Sequence, residues 1–361
     1  MKRRWFSTLA LALAVSLVIT ACGGGAGGGG GSQSQSSGSP SPSASGGSGG
    51  GSSGGSSGGS YQIAIVPKLV GIPYFNASEV GAKQAGQDLG VEVIYTGPTE
   101  PDAAQQVNVI EDLISRGVDA IAVAPNDPAA LTPVLRKAKD AGILVLDWDT
   151  PAEADVVELS VHQIDDKVFA EHLVDEMVKG MGDSGEYAIL TGGLSASNLN
   201  TWIDLGQEYI QSKYPNLKLV TDRIPTDEKQ QLAYQKTLDL LRAYPNLKGI
   251  LAYSTPAPLG AAQAVQERGL QDAITVVGTA LPTDSGPFLE DGSLDVAVLW
   301  DPAQLGYLTI YLAKHLLDGN KVENGMEVPN VGKIEVKPDG KTVIMGPPTD
   351  FLKDNYKDYN F

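Results

Sequence analysis

The chain has 361 residues, with 26 Lys and Arg against 43 Asp and Glu, and a formal net charge of −17. That acidity argues against nucleic acid, whose phosphates need a basic footprint, and against charge-driven docking on anionic lipid. The length is enough for two domains with substantial cores.

At the start of the chain, Lys2, Arg3 and Arg4 precede an apolar run from Leu9 to Ile19. The run is shorter than the ~20 apolar residues that span a bilayer. A basic start, a short apolar stretch and small residues after it describe a secretory signal over residues 1–21. Its end, Ile19-Thr20-Ala21-Cys22, resembles the bacterial lipobox. That resemblance implies a lipoprotein whose mature N-terminus is a lipidated Cys22, held on the extracytoplasmic face of the cell membrane, periplasmic or extracellular. The alternative is an ordinary cleaved signal with an incidental cysteine. Cys22 is the single cysteine of the sequence, so no intrachain disulfide is expected.

Residues 23–60 hold only Gly, Ser, Ala, Gln and Pro. Such composition cannot bury a core, and residues 22–60 read as a flexible Gly/Ser linker with an r.m.s. reach of ~35 Å. Gly23 to Gly28 formally matches G-x-G-x-x-G, but it follows no strand and opens no helix, so the match is empty.

From Ile63 onward, strand-like and helix-like segments alternate. Ile63 to Val66 is a continuous apolar run suited to a strand buried on both faces, and Pro67 ends it. Further strands are expected over 91–95, 120–123, 143–146 and 156–161. A helix with apolar residues at Val107, Ile110, Leu113 and Ile114 lies between the first two of these. Asp127-Pro128 predicts an N-cap and N1 pair opening the next helix. The pattern then restarts, with helices expected near 165–179, 202–213, 228–243 and 258–269. Strands are expected near 187–190, 217–221, 248–252, 274–277 and 294–298. This is βαβ repetition done twice, an α/β chain with two parallel-sheet lobes. A late helix at 304–317 and the tail after Met326 fit a chain that crosses between lobes more than once.

Catalytic signatures are missing from the sequence. Gly340-Lys341-Thr342 mimics the end of a Walker A loop, but the glycine that the motif needs is Glu335. His162, His172 and His315 have no H-E-x-x-H context, so neither a zinc site nor another cofactor is expected. No G-x-S-x-G elbow occurs. The chain does not read as an enzyme.

Polar and aromatic residues gather at the expected carboxyl ends of strands, where open α/β sheets bind ligands. They are Lys68 with Tyr74 and Phe75; Asp147, Trp148 and Asp149; Asn198 and Asn200; Ser254 and Thr255; and Trp300 with Asp301. Carboxylates and amides take hydroxyl hydrogen bonds, and aromatic rings cover the apolar faces of a sugar. Ligand contacts are therefore expected from Lys68, Tyr74, Phe75, Asp147, Asp149, Asn198, Asn200, Thr255, Trp300 and Asp301. Each carboxylate has a plainer alternative as a helix cap or solvated turn.

Several motifs in residues 61–361 resemble type I periplasmic binding proteins, in the branch of rhamnose-binding proteins and autoinducer-2 receptors. They are Val66-Pro67-Lys68 with Pro73-Tyr74-Phe75, Gly97-Pro98-Thr99-Glu100, Trp148-Asp149, Val298-Leu299-Trp300-Asp301 with Gly306, and the ending Tyr359-Asn360-Phe361. The resemblance implies two Rossmann-like lobes joined by a three-crossover hinge. Their expected bounds are 61–162 plus about 301–325, and 163–300 plus about 326–361. It also implies a monomer that delivers a small ligand to the permease and ATPase of an ABC importer. In autoinducer-2 receptors a Lys and an Asp that bind ligand are matched by Lys68 and Asp149. Their Asp-Gln pair is met here by Asn198-Leu199, and a leucine side chain cannot donate. The Asp301-Pro302-Ala303-Gln304-Leu305-Gly306-Tyr307 run leans toward the rhamnose type. The expected role is binding of a rhamnose-like sugar for import. The alternatives are an autoinducer-2 receptor and a sensor subunit presenting ligand to a membrane receptor.

Overall fold

The computed structural model describes residues 60–361. The expectations for the signal, Cys22 and the linker up to residue 59 lie outside the described residues. The first lobe runs β1 (Gln62–Val66), α1 (Pro73–Leu89), β2 (Glu92–Tyr95), α2 (Ala103–Arg116), β3 (Ala120–Val123), α3 (Pro128–Asp140), β4 (Leu144–Trp148) and β5 (Leu159–His162). The second runs α4 (Asp166–Met181), β6 (Ser184–Thr191), α5 (Ser197–Lys213), β7 (Asn216–Leu219), β8 (Ile224–Pro225), α6 (Gln230–Ala243), β9 (Leu247–Ala252), α7 (Pro256–Arg268), β10 (Thr275–Gly278), α8 (Pro282–Asp291) and β11 (Val296–Leu299). Then come α9 (Pro302–Leu317), β12 (Glu327–Val328), β13 (Gly332–Lys333), β14 (Glu335–Val336), β15 (Thr342–Ile344) and β16 (Thr349–Phe351).

The strands form two main sheets, ordered β14-β15-β5-β4-β3-β1-β2 and β16-β11-β10-β9-β6-β7. Each is parallel except at one edge, where β14 and β16 run antiparallel to their neighbours. The first strand shows why the apolar runs are continuous. Ile63 and Ile65 belong to the core beneath α1, while Ala64 and Val66 belong to a separate cluster beneath α2 and α3. A parallel strand covered on both faces has no solvent side for polar residues.

The chain passes between the sheets three times, at 163–165, 300–301 and 345–348. After the second passage α9 packs on α1 in the first lobe. Two glycines permit the close approach. A Cβ at Gly81 would lie 1.7 Å from the Ala303 carbonyl oxygen, and one at Gly306 would lie 2.0 Å from that of Ser78.

Pairing divides the tail that the sequence places wholly in the second lobe. β15 is hydrogen-bonded to β5, with Val343 opposite Val161, so the hairpin β14–β15 belongs to the first sheet. Only β16 and the residues after it join the second lobe, with Phe351 opposite Ala297. The sequence could not place these strands, because each is two or three residues long and carries little periodicity. Helix α8 is also absent from the sequence reading. It opens at Pro282 and contains Pro287, a composition that reads as loop.

Candidate ligand-binding site

The carboxyl ends of both sheets face each other across one cavity. It is lined by Lys68, Tyr74, Phe75 and Asp149 from the first lobe, by Asn198, Trp202, Glu228, Ser254, Thr255 and Thr279 from the second, and by Trp300 on the second crossover. Ile72, Leu199 and Leu299 supply the rest of the wall.

A hydrogen-bonded chain crosses this cavity. The Trp300 indole N–H donates to the Tyr74 hydroxyl at 3.0 Å, and that hydroxyl donates to Asp149 Oδ1 at 2.6 Å. Thr150 Oγ1 donates to Asp149 Oδ2 at 3.0 Å, and Lys68 Nζ stands 3.6 Å from the same oxygen. Lys68 Nζ then donates to Asn198 Oδ1 at 3.0 Å, and Asn198 Nδ2 donates to the Asp149 carbonyl at 3.3 Å. Lys68 and Asp149 are each 5% exposed. Two buried charges of opposite sign satisfy one another here, and both lie against open space on their remaining side. Burial pushes the Tyr74 phenol well above its ordinary value, and the nearby Asp149 charge adds to that, so the phenol keeps its proton and remains a donor.

The Asn198 bonds join the lobes, and others do the same. Ser195 Oγ donates to the Asn126 carbonyl at 2.9 Å, and the Lys229 ammonium pairs with Glu100 at 2.8 Å. The lobes are closed on one another.

Three lining residues have left-handed backbone without being glycine: Asp149 at φ 62°, Glu228 at 55° and Ser254 at 80°. Such positions cost of order 1–3 kcal/mol and collect at functional sites. Glu228 is buried beside Gly192, where a Cβ would come within 2.1 Å of its Oε1. Burial pushes its carboxyl up, and the Lys68 charge works the other way. The buried hydroxyl of Thr279 has no hydrogen-bond partner among the described residues. The aromatic part of the wall is continuous: Tyr74 meets Trp300 edge-on at 6.2 Å, and Trp300 meets Trp202 at 5.9 Å.

Of the ten residues expected at the site, Lys68, Tyr74, Phe75, Asp149, Asn198, Thr255 and Trp300 line the cavity. Three do not, and each has another task. Asp147 points away from the cavity. Its carboxylate binds the Ser160 hydroxyl and accepts the Ala152 N–H at 2.7 Å, and burial pushes its pKa up to about 7. Asn200 donates to the Leu194 carbonyl and accepts from Arg223 on the exposed side of α5. Asp301 caps α9, accepting the N–H of Ala303 at 2.8 Å. Glu228, Thr279 and Trp202 are lining residues that sequence reasoning missed. Trp202 reads as an ordinary first-turn residue, and Glu228 falls at the start of the helix expected near 228–243, with nothing in the sequence to turn it inward.

Outside the cavity, His172, Glu176 and Asp350 offer ligand atoms within 4.8 Å of one another. The two ring nitrogens of His172 face different carboxylates, Nε2 toward Asp350 at 2.6 Å and Nδ1 toward Glu176 at 3.9 Å. A clamped ring of this kind holds the third crossover strand to α4 rather than aiming three lone pairs at one point.

The periplasmic binding protein domain matches residues 63–321, most of the chain. The chain belongs to the periplasmic binding protein family. Its two lobes and three crossovers are the type I fold of that family. Among solved structures, LsrB from Clostridium saccharobutylicum in complex with AI-2 superposes with a TM-score of 0.78. The identity is 29%, covering 83% of this chain and 100% of that one. An ABC transporter solute binding protein from Clostridium phytofermentas with bound L-rhamnose gives a TM-score of 0.77 at 32% identity, covering 83% and 98%. The ribose import binding protein RbsB of Bacillus subtilis (strain 168) is 26% identical over 278 residues, 74% of this chain and 86% of that one. The cavity described above lies between the two lobes. No helix among the described residues is long and apolar enough to cross a membrane.

Proposed function

We propose that this chain is the extracytoplasmic substrate-binding component of a sugar ABC importer. Its cavity takes one small rhamnose-like sugar, and it works as a lipid-anchored monomer tethered through Cys22, handing ligand to a permease driven by an ATPase. The observation that carries the reading is the mixed lining of the cavity. Lys68, Asp149, Asn198, Glu228, Ser254 and Thr279 supply donors and acceptors for hydroxyls. Trp300, Trp202, Phe75, Leu199 and Leu299 supply apolar cover for a ring face and a methyl group. The solved relative with bound L-rhamnose supports that choice of sugar.

A second reading, autoinducer-2 binding, is favoured by the Lys68–Asp149 pair and by the likeness to LsrB. It is weakened by Leu199, which lines the cavity and has no donor. A thermal-shift panel decides between them, with L-rhamnose, L-fucose, D-ribose, D-allose and the autoinducer-2 precursor. A ligand at 100 times its Kd stabilises by about 2.7 kcal/mol, a rise in Tm of roughly 5 °C. A rise with L-rhamnose alone supports the first reading, and a rise with the precursor alone replaces it. No rise with any member overturns both.

A further inference from the structure

A second hollow, open to solvent, borders the cavity, and the two share Ile72, Glu228 and Thr255 in their linings. Apart from these three, the second hollow is lined by Pro73 at the start of α1, Gln230 at the start of α6, Pro256 and Leu259 of α7, and Asp284 and Phe288 of α8.

Its wall repeats the chemistry of the inner cavity at lower burial. Phe288 is a half-buried aromatic ring, and Leu259 and Pro256 continue the apolar surface beside it. Asp284 makes no hydrogen bond or ion pair to another described residue, and burial alone pushes its carboxyl up. An acidic group left half-buried without a partner is costly unless something polar reaches it. Gln230 adds an exposed amide to the lining. Helices α1 and α6 begin here without a side-chain cap and leave first-turn N–H groups for oxygen atoms, whereas α7 opens Pro256-Ala257-Pro258 with its Ala257 N–H bonded to the Ser254 carbonyl, and the Thr283 N–H of α8 donates to the Phe361 carbonyl. A ring beside an acid and an amide is what a sugar ring uses: a hydrophobic face and a rim of hydroxyls.

We propose that this hollow is a second sugar subsite, and that the substrate is a glycoside whose second ring lies on Phe288 while its first occupies the inner cavity. The inference rests on the sugar-binding reading above. Glu228, which lines both spaces, then faces the glycosidic linkage and selects which linkage is accepted. Its left-handed backbone and the missing Cβ of Gly192 keep its carboxylate at that position.

The test is calorimetry on the full chain with paired probes. L-Rhamnose, L-fucose, D-ribose and D-allose are each offered free and as the non-reducing residue of a disaccharide with D-glucose. For a sugar that binds, the disaccharide is expected to bind about 5-fold tighter, and Phe288→Ala is expected to remove that gain while changing the free sugar by less than about 2-fold. Asp284→Asn, which keeps shape and leaves the ring in place, is expected to weaken the disaccharide alone. Binding of free sugars with rejection of every disaccharide overturns the second subsite and leaves the import reading standing. So does a Phe288→Ala effect that is equal for both members of a pair, or nil for both. Failure of all probes, free and linked, overturns the subsite and the sugar reading together.

Discussion

The helices of the described residues start in two different ways, and the division follows the cavity. Helices α2, α3, α4 and α9 begin at Asp102, Asp127, Asp165 and Asp301, whose carboxylates accept first-turn N–H groups. Helices α1, α5, α6, α7 and α8 begin with no side-chain cap. The lining residues Tyr74, Asn198, Glu228, Thr255 and Thr279 sit at or just before those five starts. A capped start satisfies its own backbone with a carboxylate, whereas an uncapped start turns the positive end of a helix dipole to whatever oxygen comes near, and those of α1, α5 and α6 also offer first-turn N–H donors. α9 stands at the boundary: Trp300 faces the cavity and the next residue, Asp301, is already a cap. The role of an acid beside the cleft is therefore decided by whether a helix start needs it, more than by its distance from the strand end.

Four substitutions break or sharpen this contrast. The largest effect is expected at Asp149, which closes no helix and holds Tyr74, Thr150 and Lys68 together. Asp149→Ala should weaken the best ligand about 10- to 100-fold by calorimetry, the scale of a lost charged hydrogen bond. Unchanged affinity would remove Asp149 from the ligand's partners. Asp301→Ala should do the reverse: lost capping costs about 1 kcal/mol and lowers Tm by roughly 2 °C, with ligand affinity preserved. A large affinity loss at Asp301 without a change in Tm would erase the distinction between capped and open starts.

Asp147 tests the same contrast through pH. Its folded pKa is raised to about 7 from 3.8. The folded state therefore holds a proton that the unfolded state gives up as pH rises from about 4. That contribution to stability is full below the unfolded value and is lost as pH climbs through about 7. Asp147→Asn should flatten the fall of Tm between pH 4 and 7 by a few degrees and leave ligand affinity within about 2-fold. An unaltered Tm profile would mean that Asp147 is ionised when folded. The smallest effect is expected at Asn200→Ala, which loses bonds to Leu194 and Arg223 on the outer side of α5. Affinity there should stay within about 2-fold, and a tenfold loss would place Asn200 among the ligand's partners after all.

Much of the fold was legible because both sheets are covered on both faces. Runs such as Ile63 to Val66 and Ala120 to Val123 are fully buried, and nothing but a continuous apolar segment fits there. The cap at Asp127-Pro128 was legible for a local reason, since N-cap and N1 chemistry needs no tertiary partner. α8 and the β14–β15 hairpin were hidden by prolines in the one and by shortness in the other. At the site, Lys68, Asp149 and Trp300 follow buried strands directly, so their position in the chain already implies their position in the cleft. Asp147 shares that position with Asp149, two residues along the same strand end, and only the left-handed backbone at Asp149 separates their directions. Glu228 was illegible because what brings it inside is non-local: β8 pairs with β6, and the bare Cα of Gly192 leaves room for its carboxylate.

The aromatic chain at the cleft has an optical consequence. Trp148, Trp202 and Trp300 are the tryptophans of the described residues, and all three lie on or directly behind the cavity wall, Trp148 through its edge contact with Phe75 at 5.8 Å. Because the Trp300 indole donates to Tyr74, whose hydroxyl also serves Asp149, any ligand that competes for that carboxylate alters the environment of the fluorophore itself. Occupancy can thus be followed by intrinsic emission, with no label attached and no residue replaced.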